Sequence, residues 1–172
     1  MQKESGNGIA GKTAIVTGGT RGIGYAIARM LLERGAQVAI CARSQEGVDK
    51  AVASLQEQTG KAAMGWACDV ASEEAIAAFY QKVDEALPKL DILINNAGIG
   101  IFKPVGDMTP AEWRATLDTN LTGVFYFTHL AVERFKRTGG GFIVNLSSLA
   151  GRNPFAGGAA YNASKFGLNG NR

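Results

Sequence analysis

The sequence has few of the residues that build metal sites and disulfide bonds. It contains two cysteines, Cys41 and Cys68, and one histidine, His129. The cysteines lack the C-x-x-C spacing of zinc and redox motifs, which excludes a zinc site built from the usual soft ligands. We interpret both as small buried hydrophobic residues, with a regulatory thiol as the alternative. His129 lies in an apolar stretch that indicates a packing role, and no nucleophile matches it for a Ser-His-acid triad.

The sequence also lacks long apolar runs and a strong excess of one charge. No stretch approaches the roughly 18 apolar residues that cross a bilayer, and the polar N-terminal segment has no apolar core of a signal peptide. We therefore expect a cytoplasmic protein without a membrane span. Its 18 basic and 15 acidic residues give a net charge of +3, which is too small to indicate binding of nucleic acid or of an anionic membrane surface.

What the sequence does contain is a regular alternation of short apolar runs and helical patterns. The strand-like runs are TAIVTG, QVAICA, KAAMGWACDV, LDILINNAG and GGFIVNLSS. They are continuously apolar, as the strands of a parallel sheet are when helices cover both faces. We therefore predict a single α/β domain over residues 1–172 with a doubly wound parallel sheet. Its ligand site should lie at the carboxyl ends of the strands.

Apolar periodicity predicts the helices between these strands. The first helix ends at Gly35, and its apolar face is formed by Ile23, Ile27, Met30 and Leu31. A later, longer helix begins at Thr109. There Thr109, Pro110 and Glu112 supply the N-cap, the first helical position and the capping-box glutamate.

Glycines cluster directly after the first predicted strand, at Gly18, Gly22 and Gly24. They allow the backbone to turn sharply and to approach a ligand, while the N-terminus of the following helix presents unpaired N–H groups to a phosphate. The spacing is G-x-x-x-G-x-G rather than the commoner dinucleotide fingerprint G-x-G-x-x-G. A glycine-rich turn that serves only tight packing is the alternative.

The end of the second strand indicates which dinucleotide would bind. An NAD site carries an acidic residue roughly 20 residues beyond the glycine turn, whereas this sequence has Ala42 and Arg43 there. Arg43 and Arg21, which lies in the glycine loop, are suited to charge-assisted hydrogen bonds with a 2′-phosphate. This favours NADP(H). The alternative is that both arginines are solvated surface charges.

Tyr161 and Lys165 lie four residues apart in YNASK, which places their side chains next to each other on one face of a helix. A free phenol ionises near pH 10, so a neighbouring ammonium that favours the phenolate makes proton exchange easier near neutral pH. The pair is therefore a candidate proton-transfer site. An amphipathic pair that covers apolar surface with its stems is the alternative.

Six motifs occur together in order: TGGTRGIG, DV at 69–70, NNAG at 95–98, TN at 119–120, NLSS at 145–148 and YNASK. On these motifs the chain resembles the short-chain dehydrogenase/reductase family from about Lys12 to Asn169. Within that family it is most similar to NADPH-dependent 3-oxoacyl-acyl-carrier-protein reductases. The resemblance implies a Rossmann-type fold, with NADP(H) as cofactor and reduction of a ketone to a secondary alcohol as reaction.

The resemblance also implies which residues contact the cofactor and the substrate. The cofactor contacts would be Gly18, Thr20, Arg21, Gly22, Ile23, Gly24, Arg43, Ser44, Asp69, Val70, Asn96, Ala97, Gly98, Tyr161 and Lys165. Tyr161 would donate a proton to the carbonyl oxygen, which Ser148 would orient. Asn120 would hold a water that relays protons to Lys165. A simple turn hydroxyl at Ser148 and a helix-bending polar residue at Asn120 are the alternatives.

In the resembled family, the helix that begins near Thr109 and the Tyr161 helix pair with another subunit. We therefore expect a homodimer or homotetramer that acts on a small-molecule substrate. Phe125, Phe127 and Leu130 would mark a face of the long helix that is buried in the core and against a partner. A purely intramolecular core is the alternative.

Family members continue beyond the Tyr161 helix with further strands, a proline-glycine loop and a lid over the substrate. None of these is present in the sequence, so we expect the sheet to lack its C-terminal elements, either by truncation or because the sequence is incomplete. The substrate stays open, although Ile99, Ile101 and Phe102 favour an apolar one. The alternatives to a reductase are a truncated nucleotide-binding remnant and a non-catalytic interaction protein.

Overall fold

The computed structural model describes residues 8–170, whose strands form one parallel sheet. The strands are β1 Thr13–Thr17, β2 Gln37–Ala42, β3 Ala63–Ala67, β4 Ile92–Asn95 and β5 Phe142–Asn145. Their order across the sheet is β3-β2-β1-β4-β5, so β1 lies in the centre and pairs with both β2 and β4. This is the predicted doubly wound fold, and its direction reverses at β1 and β4, where a crevice opens at the carboxyl ends.

Helices cover both faces of the sheet. They are α1 Gly22–Glu33, α2 Gln45–Thr59, α3 Glu73–Ala86, α4 Pro110–Leu117, α5 Gly123–Thr138 and α6 Ala159–Gly170. On one face, Phe79 and Tyr80 of α3 pack with Phe127 of α5. On the other face, Leu32 of α1 and Leu55 of α2 belong to the second core. Burial from both sides explains why the central strands β1, β2 and β4 are largely apolar, whereas Phe142 and Val144 of the edge strand β5 are exposed.

The helix ends follow local signals in the sequence. The side chains of Ser44 and Ser72 cap α2 and α3, and Gly60 ends α2 with a φ of +64°. At α4, the backbone N–H of Glu112 donates to Thr109 Oγ1 at 3.2 Å, and that of Thr109 donates to Glu112 Oε2 at 2.9 Å. This reciprocal pair is the predicted capping box.

The long helix predicted from Thr109 is interrupted by a wider turn. A π-helical segment, Asp118–Thr122, joins α4 to α5. Turns of this kind are rare and frequently occur at functional positions. This one holds Asn120 with no exposed surface. Directly after it, Gly123 passes so close to the loop beyond β3 that a Cβ would lie 2.0 Å from the carbonyl oxygen of Val70.

The apolar face predicted for α1 coincides with its buried face only in part. Leu31 is buried, but Met30 is exposed and 67% of the Ile23 surface is accessible. The helix instead turns Gly24 and Ala28 inward. At Gly24 the helix lies so close to the glycine loop that a side chain does not fit. A helix face formed by small residues does not appear in a pattern of large apolar residues.

Two further predictions concern single residues. Cys41 and Cys68 are both buried, which confirms their interpretation as small hydrophobic residues. The packing role of His129 is wrong, because its side chain is exposed and stacks on Phe125, itself 53% exposed. Phe127 points into the core instead. Phe125 and Phe127 therefore lie on different faces of α5.

The end of the sheet opposite to the crevice contains a buried carboxylate, Asp91. It accepts a hydrogen bond from the backbone N–H of Thr13 at 2.9 Å and pairs with the ammonium groups of Lys12 at 3.2 Å and Lys89 at 3.0 Å. Burial alone would raise the pKa of Asp91, but the Thr13 N–H and the two lysines outweigh it and lower the pKa to about 2. Asp91 thus ties the start of β1 to the segment before β4.

Candidate functional site

A cavity of about 790 Å³ lies at the carboxyl ends of the central strands. Its wall contains every residue predicted to contact a cofactor, apart from the two on α6. These are Gly18, Thr20, Arg21, Gly22, Ile23, Gly24, Arg43, Ser44, Asp69, Val70, Asn96, Ala97 and Gly98. The loops after β1, β2, β3 and β4 therefore converge on one space, which is large enough for a ligand of cofactor size.

The glycine loop is locked against the loop after β4. Gly18 and Gly22 have φ values of +65° and +56°, which residues with side chains rarely adopt. The side-chain amide of Asn96 donates to the carbonyl oxygens of Thr17 at 2.9 Å and Gly18 at 3.1 Å. A Cβ on Gly24 would lie 2.3 Å from the Gly18 oxygen and 2.4 Å from Asn96 Nδ2. Position 24 therefore requires glycine for steric reasons. Gly24 serves tight packing, which was the alternative to a ligand site, and it also lines the cavity.

The N-terminus of α1 offers unpaired hydrogen-bond donors to the cavity. Its N-cap residue, Arg21, makes no side-chain capping bond, and the first turn contains no acidic residue. Because Gly22 and Ile23 line the cavity, the free N–H groups of this turn lie beside it. An anion placed there would be stabilised by these groups and by the helix dipole.

Positive charge is available around the same space. Arg21 and Arg43 both line the cavity, and neither forms an ion pair with any other residue in the range 8–170. Ser44 follows Arg43 and uses its Oγ to cap α2, at 3.2 Å from the backbone nitrogen of Gly47. Across the cavity, Asp69 accepts a bond from the backbone N–H of Ala71 at 3.0 Å.

The cavity wall also contains residues that the sequence did not predict as cofactor contacts. These are Ala42, Cys68, Ala71, Ile99, Ala115, Asp118 and Thr119. Those next to the predicted strand ends could have been found from position alone. Asp118 and Thr119 reach the cavity through the π-helical turn; Thr119 belongs to the TN motif at 119–120, whereas no motif in the sequence includes Asp118.

Tyr161 and Lys165 lie next to each other on α6, as their spacing predicted. The ammonium nitrogen of Lys165 is 5.7 Å from the centre of the Tyr161 ring and donates to the carbonyl oxygen of Leu146 at 2.8 Å. Lys165 is only 6% exposed, and this burial lowers the pKa of its ammonium group. The hydroxyl of Tyr161 makes no hydrogen bond with residues 8–170, which leaves it available to a ligand.

Asn120 connects this pair to the cavity. Its Oδ1 accepts the backbone N–H of Ile99 at 2.8 Å, and its Nδ2 donates to the carbonyl of Ile99 at 2.8 Å and to Ser164 Oγ at 3.1 Å. Ser164 in turn donates to the carbonyl oxygen of Tyr161 at 2.8 Å. Since Ile99 lines the cavity, one buried side chain links the loop after β4 to the helix that carries Tyr161.

Ser148 lies beyond β5, where it begins the short 3₁₀ turn Leu149–Gly151. Its Oγ accepts the backbone N–H of Ala150 at 3.2 Å. Within residues 8–170 it makes no hydrogen bond with Tyr161. The contact that Ser148 makes is therefore that of a simple turn hydroxyl, which was the alternative interpretation. Its role toward a substrate stays a prediction.

Two properties of the described part of the chain concern membranes and metals. Between residues 8 and 170, no helix combines the length and the apolar character needed to cross a bilayer. Within the same range, histidine, cysteine, aspartate and glutamate side chains do not come together in a group of three that could hold a metal ion.

Comparison with known proteins gives matches over nearly the whole chain. The family model described as short chain dehydrogenase matches residues 12–171. An NADP-dependent (R)-specific alcohol dehydrogenase of Lentilactobacillus kefiri is 42% identical over 161 residues, 91% of this chain and 62% of the relative. An acetoacetyl-CoA reductase of Paracoccus denitrificans is 42% identical over 156 residues, with the same two coverages of 91% and 62%.

A solved structure shows the same fold. A metagenomic short-chain oxidoreductase in complex with NADP superimposes with a TM-score of 0.89 at 44% identity, over 94% of this chain and 73% of that one. The chain spans less than two thirds of the length of the two curated relatives. Because the family match runs from before β1 through α6, and so includes the cavity and the tyrosine-lysine helix, the chain belongs to the short-chain dehydrogenase family.

Proposed function

We propose that this chain is an NADP(H)-dependent oxidoreductase that reduces a ketone to a secondary alcohol, with Tyr161 as the proton donor. The observation that carries the proposal is the placement of Tyr161 and Lys165 side by side, linked through Asn120 to a cavity with a glycine-loop anion site. Residues 1–172 would form the nucleotide-binding and catalytic part of a single domain.

The residues around the cavity fit a dinucleotide that carries a 2′-phosphate. Gly18, Gly22 and Gly24 leave the cradle free of side chains, and the uncapped start of α1 supplies donors for a pyrophosphate. Arg43 and Arg21 have no carboxylate partner among the described residues and suit the extra phosphate. The NADP-dependent relative and the NADP-bound neighbour support the same choice.

The remaining predicted contacts complete the arrangement. Ser44 would join Arg43 at the 2′-phosphate, and Thr20 and Ile23 would line the pyrophosphate side. Asp69 and Val70 would flank the adenine. The predicted contacts of the riboses are Asn96, Ala97, Gly98, Tyr161 and Lys165. When bound, the nicotinamide group supplies the hydride, and the protein supplies orientation and electrostatics.

The protein's own chemistry is proton delivery to the carbonyl oxygen. As that oxygen gains negative charge, the Tyr161 hydroxyl donates its proton, and the nearby Lys165 ammonium stabilises the phenolate that remains. Ser148 would hold the oxygen by a hydrogen bond from its hydroxyl. Burial disfavours the charged form of Lys165, and its bond to the Leu146 carbonyl fixes the ammonium in place.

Asn120 would hold the water that returns protons to Lys165. Both N–H donors of its amide are already used, on Ile99 and Ser164. Such a water would therefore donate to the free lone pair of Oδ1 or to the main-chain carbonyl in the π-helical turn. By its bond to Ser164, the amide of Asn120 keeps the π-helical turn next to α6. We assign this positioning role to Asn120.

A 3-oxoacyl-type or related carbonyl compound is the substrate class we propose. The acetoacetyl-CoA reductase relative supports it by similarity. We further propose a homodimer or homotetramer formed through the α4–α5 region and α6. Exposed phenylalanines on these helices, Phe125 on α5 and Phe166 on α6, support a contact there.

The test follows NADPH oxidation with ethyl acetoacetate for the wild type, Tyr161→Phe and Tyr126→Phe. Tyr126 is a partly buried tyrosine on α5, outside the proposed machinery, and serves as the control. We expect Tyr161→Phe to lower the rate by about 100-fold or more, the scale of a lost general acid, with the control unchanged. NADPH binding should survive in all three proteins.

Two results would contradict the proposal. Equal rates in the wild type and Tyr161→Phe would remove Tyr161 from the mechanism. NADPH binding by a wild type that turns over no ketone would favour the alternative of a nucleotide-binding or interaction protein.

A further inference from the structure

Two exposed phenylalanines form a row that begins at the ring of Tyr161. Phe102, from the loop between β4 and α4, lies edge-on to Tyr161 with ring centres 5.5 Å apart. Phe155, from the loop before α6, lies 5.6 Å from Phe102. These two side chains, which we call the aromatic wall, are 59% and 44% exposed. Large apolar side chains exposed together beside a candidate catalytic group mark a surface for an apolar ligand.

Glycines make room for both rings of the aromatic wall. A Cβ on Gly100 would lie 2.5 Å from Cζ of Phe102, and a Cβ on Gly158 would lie 2.6 Å from Cζ of Phe155. Each ring therefore rests on bare backbone in its own loop. A side chain at position 100 or 158 would displace the ring next to it.

The two loops are also fastened to each other and to the tyrosine helix. The backbone N–H of Lys103 donates to the carbonyl oxygen of Gly157 at 2.8 Å, next to a parallel bridge between Lys103 and Gly158. Asn162, the neighbour of Tyr161, donates from Nδ2 to the carbonyl oxygen of Phe155 at 2.9 Å. The aromatic wall is thus held in a fixed position relative to the Tyr161 ring.

Charge is directed away from the aromatic wall in the Phe102 loop. Lys103 is the one charged residue in the segment 99–104, and its ammonium group is paired with Glu112 of α4. The loop therefore presents aromatic surface without an unpaired cation. Such a surface favours an uncharged, flat group, because aromatic rings pair best with other rings.

We infer that the aromatic wall selects carbonyl substrates in which a flat apolar group, such as an aryl ring, is attached to the carbonyl carbon. The inference rests on the proposed function, since it takes Tyr161 as the group that meets the carbonyl oxygen. Phe102 is the specificity-determining residue. Asn162 is a positioning residue, because it acts through Phe155.

The test compares two ketones of equal carbon count, acetophenone with a flat ring and cyclohexyl methyl ketone with a puckered one. Their dissociation constants are measured by saturation-transfer NMR on the full chain with NADP⁺, so that no turnover is needed. We expect the wild type to bind acetophenone roughly threefold to tenfold more tightly. In Phe102→Ala the ratio of the two dissociation constants should fall to about one.

A control and a second variant keep the experiment decisive. Phe142→Ala removes an exposed phenylalanine at the start of β5, at the opposite end of the sheet, and should keep the wild-type ratio. Gly100→Ala retains the Phe102 ring but pushes it aside, so it should also lower the ratio. It tests the aromatic wall even if Phe102→Ala does not fold.

Several outcomes overturn the inference. They are an unchanged ratio in both Phe102→Ala and Gly100→Ala, no binding of either ketone, and tighter binding of 4-acetylbenzoate than of acetophenone. Failure of the proposed function would be a separate result. Turnover that survives Tyr161→Phe contradicts the proposed mechanism. Turnover that depends on Tyr161, with the same ratio of the two dissociation constants in the wild type, Phe102→Ala and Gly100→Ala, contradicts only the selective role of the aromatic wall.

Discussion

Replacing Gly24 by alanine should damage both the fold and the nucleotide cavity. Gly24 is the third residue of α1, where alanine would ordinarily favour the helix by about 1 kcal/mol. Here the new methyl would lie 2.3 Å from the Gly18 carbonyl oxygen and 2.4 Å from Asn96 Nδ2. Both distances are about 1 Å shorter than an ordinary van der Waals contact, and the first involves backbone, which cannot rotate away.

The magnitude follows from three contributions. Overpacking of this kind costs about 1–3 kcal/mol. Displacement of Asn96 breaks its bonds to Thr17 and Gly18, each with a net worth of about 1 kcal/mol. After the gain in helix propensity of about 1 kcal/mol is subtracted, Gly24→Ala should lower the free energy of unfolding by about 2–4 kcal/mol. Because the displaced loop forms the cavity wall, NADPH affinity should fall by at least about tenfold, or about 1.4 kcal/mol.

The chain offers a matched control in Gly47, the third residue of α2. A Cβ there would lie 3.7 Å from the Ser44 side chain, an ordinary contact. Gly47→Ala should therefore stabilise the protein, by at most about 1 kcal/mol. Urea unfolding of both variants and titration with NADPH provide the measurements. If Gly24→Ala proves as stable as Gly47→Ala and binds NADPH like the wild type, the steric reasoning is wrong.

Three further predictions concern separate parts of the molecule. The lowered pKa of Asp91 should contribute about 1–2 kcal/mol above pH 4, after allowance for solvent screening of its partly exposed lysines, and urea unfolding should show this contribution disappear between about pH 4 and pH 2. In Tyr80→Phe, the 2.7 Å bond from the buried hydroxyl to the Phe127 carbonyl is lost, which should lower the free energy of unfolding by about 1 kcal/mol in the same assay. Arg43→Ala should weaken binding of NADPH by at least about tenfold and leave NADH unchanged in fluorescence titrations.

Each of these predictions has a result that contradicts it. Asp91 is deprotonated in both states above pH 4 and protonated in both below pH 2, so Asp91→Asn should remove its part of the acid-dependent loss. The part due to Glu112, whose pKa the Lys103 ammonium and the Thr109 N–H also lower to about 2, should stay. An unchanged acid transition in that variant would exclude Asp91 as its source. Equal stability of the wild type and Tyr80→Phe would mean that the hydroxyl bond gives no net stabilisation. Equal losses of NADPH and NADH affinity in Arg43→Ala would place Arg43 away from the 2′-phosphate.

The order of the elements and much of the cavity could be predicted from the sequence because the signals are local. A run such as TAIVT, a capping pair such as Thr109 and Glu112, and a glycine with positive φ such as Gly18 depend on few neighbours. Parallel strands then bring their carboxyl ends together whatever the details of packing. The predicted cofactor contacts up to Gly98 therefore line one cavity.

What could not be predicted depends on contacts between distant segments. The π-helical turn around Asn120 forms where α5 passes the loop after β3, and nothing in the local sequence distinguishes it from an ordinary helix. The apolar pattern of α1 does not give its buried face, because Gly24 and Ala28 are buried for their small size and not for their apolar character. The contact of Phe102 with Tyr161 joins residues nearly sixty positions apart.

The strand order has a consequence for the chain during its synthesis. β1 is the central strand, and its register with β4 pairs Ala14 with Ile92. At a translation rate of about 5–20 residues per second, β4 is synthesised roughly 4–16 s after β1, so one edge of β1 is unpaired for that time. During that interval β1, whose five residues are all buried in the finished fold, has β2 on one side and no strand on the other. Each nascent chain thus passes through a stage at which its future centre is a sheet edge, and this is where co-translational aggregation or chaperone capture would begin.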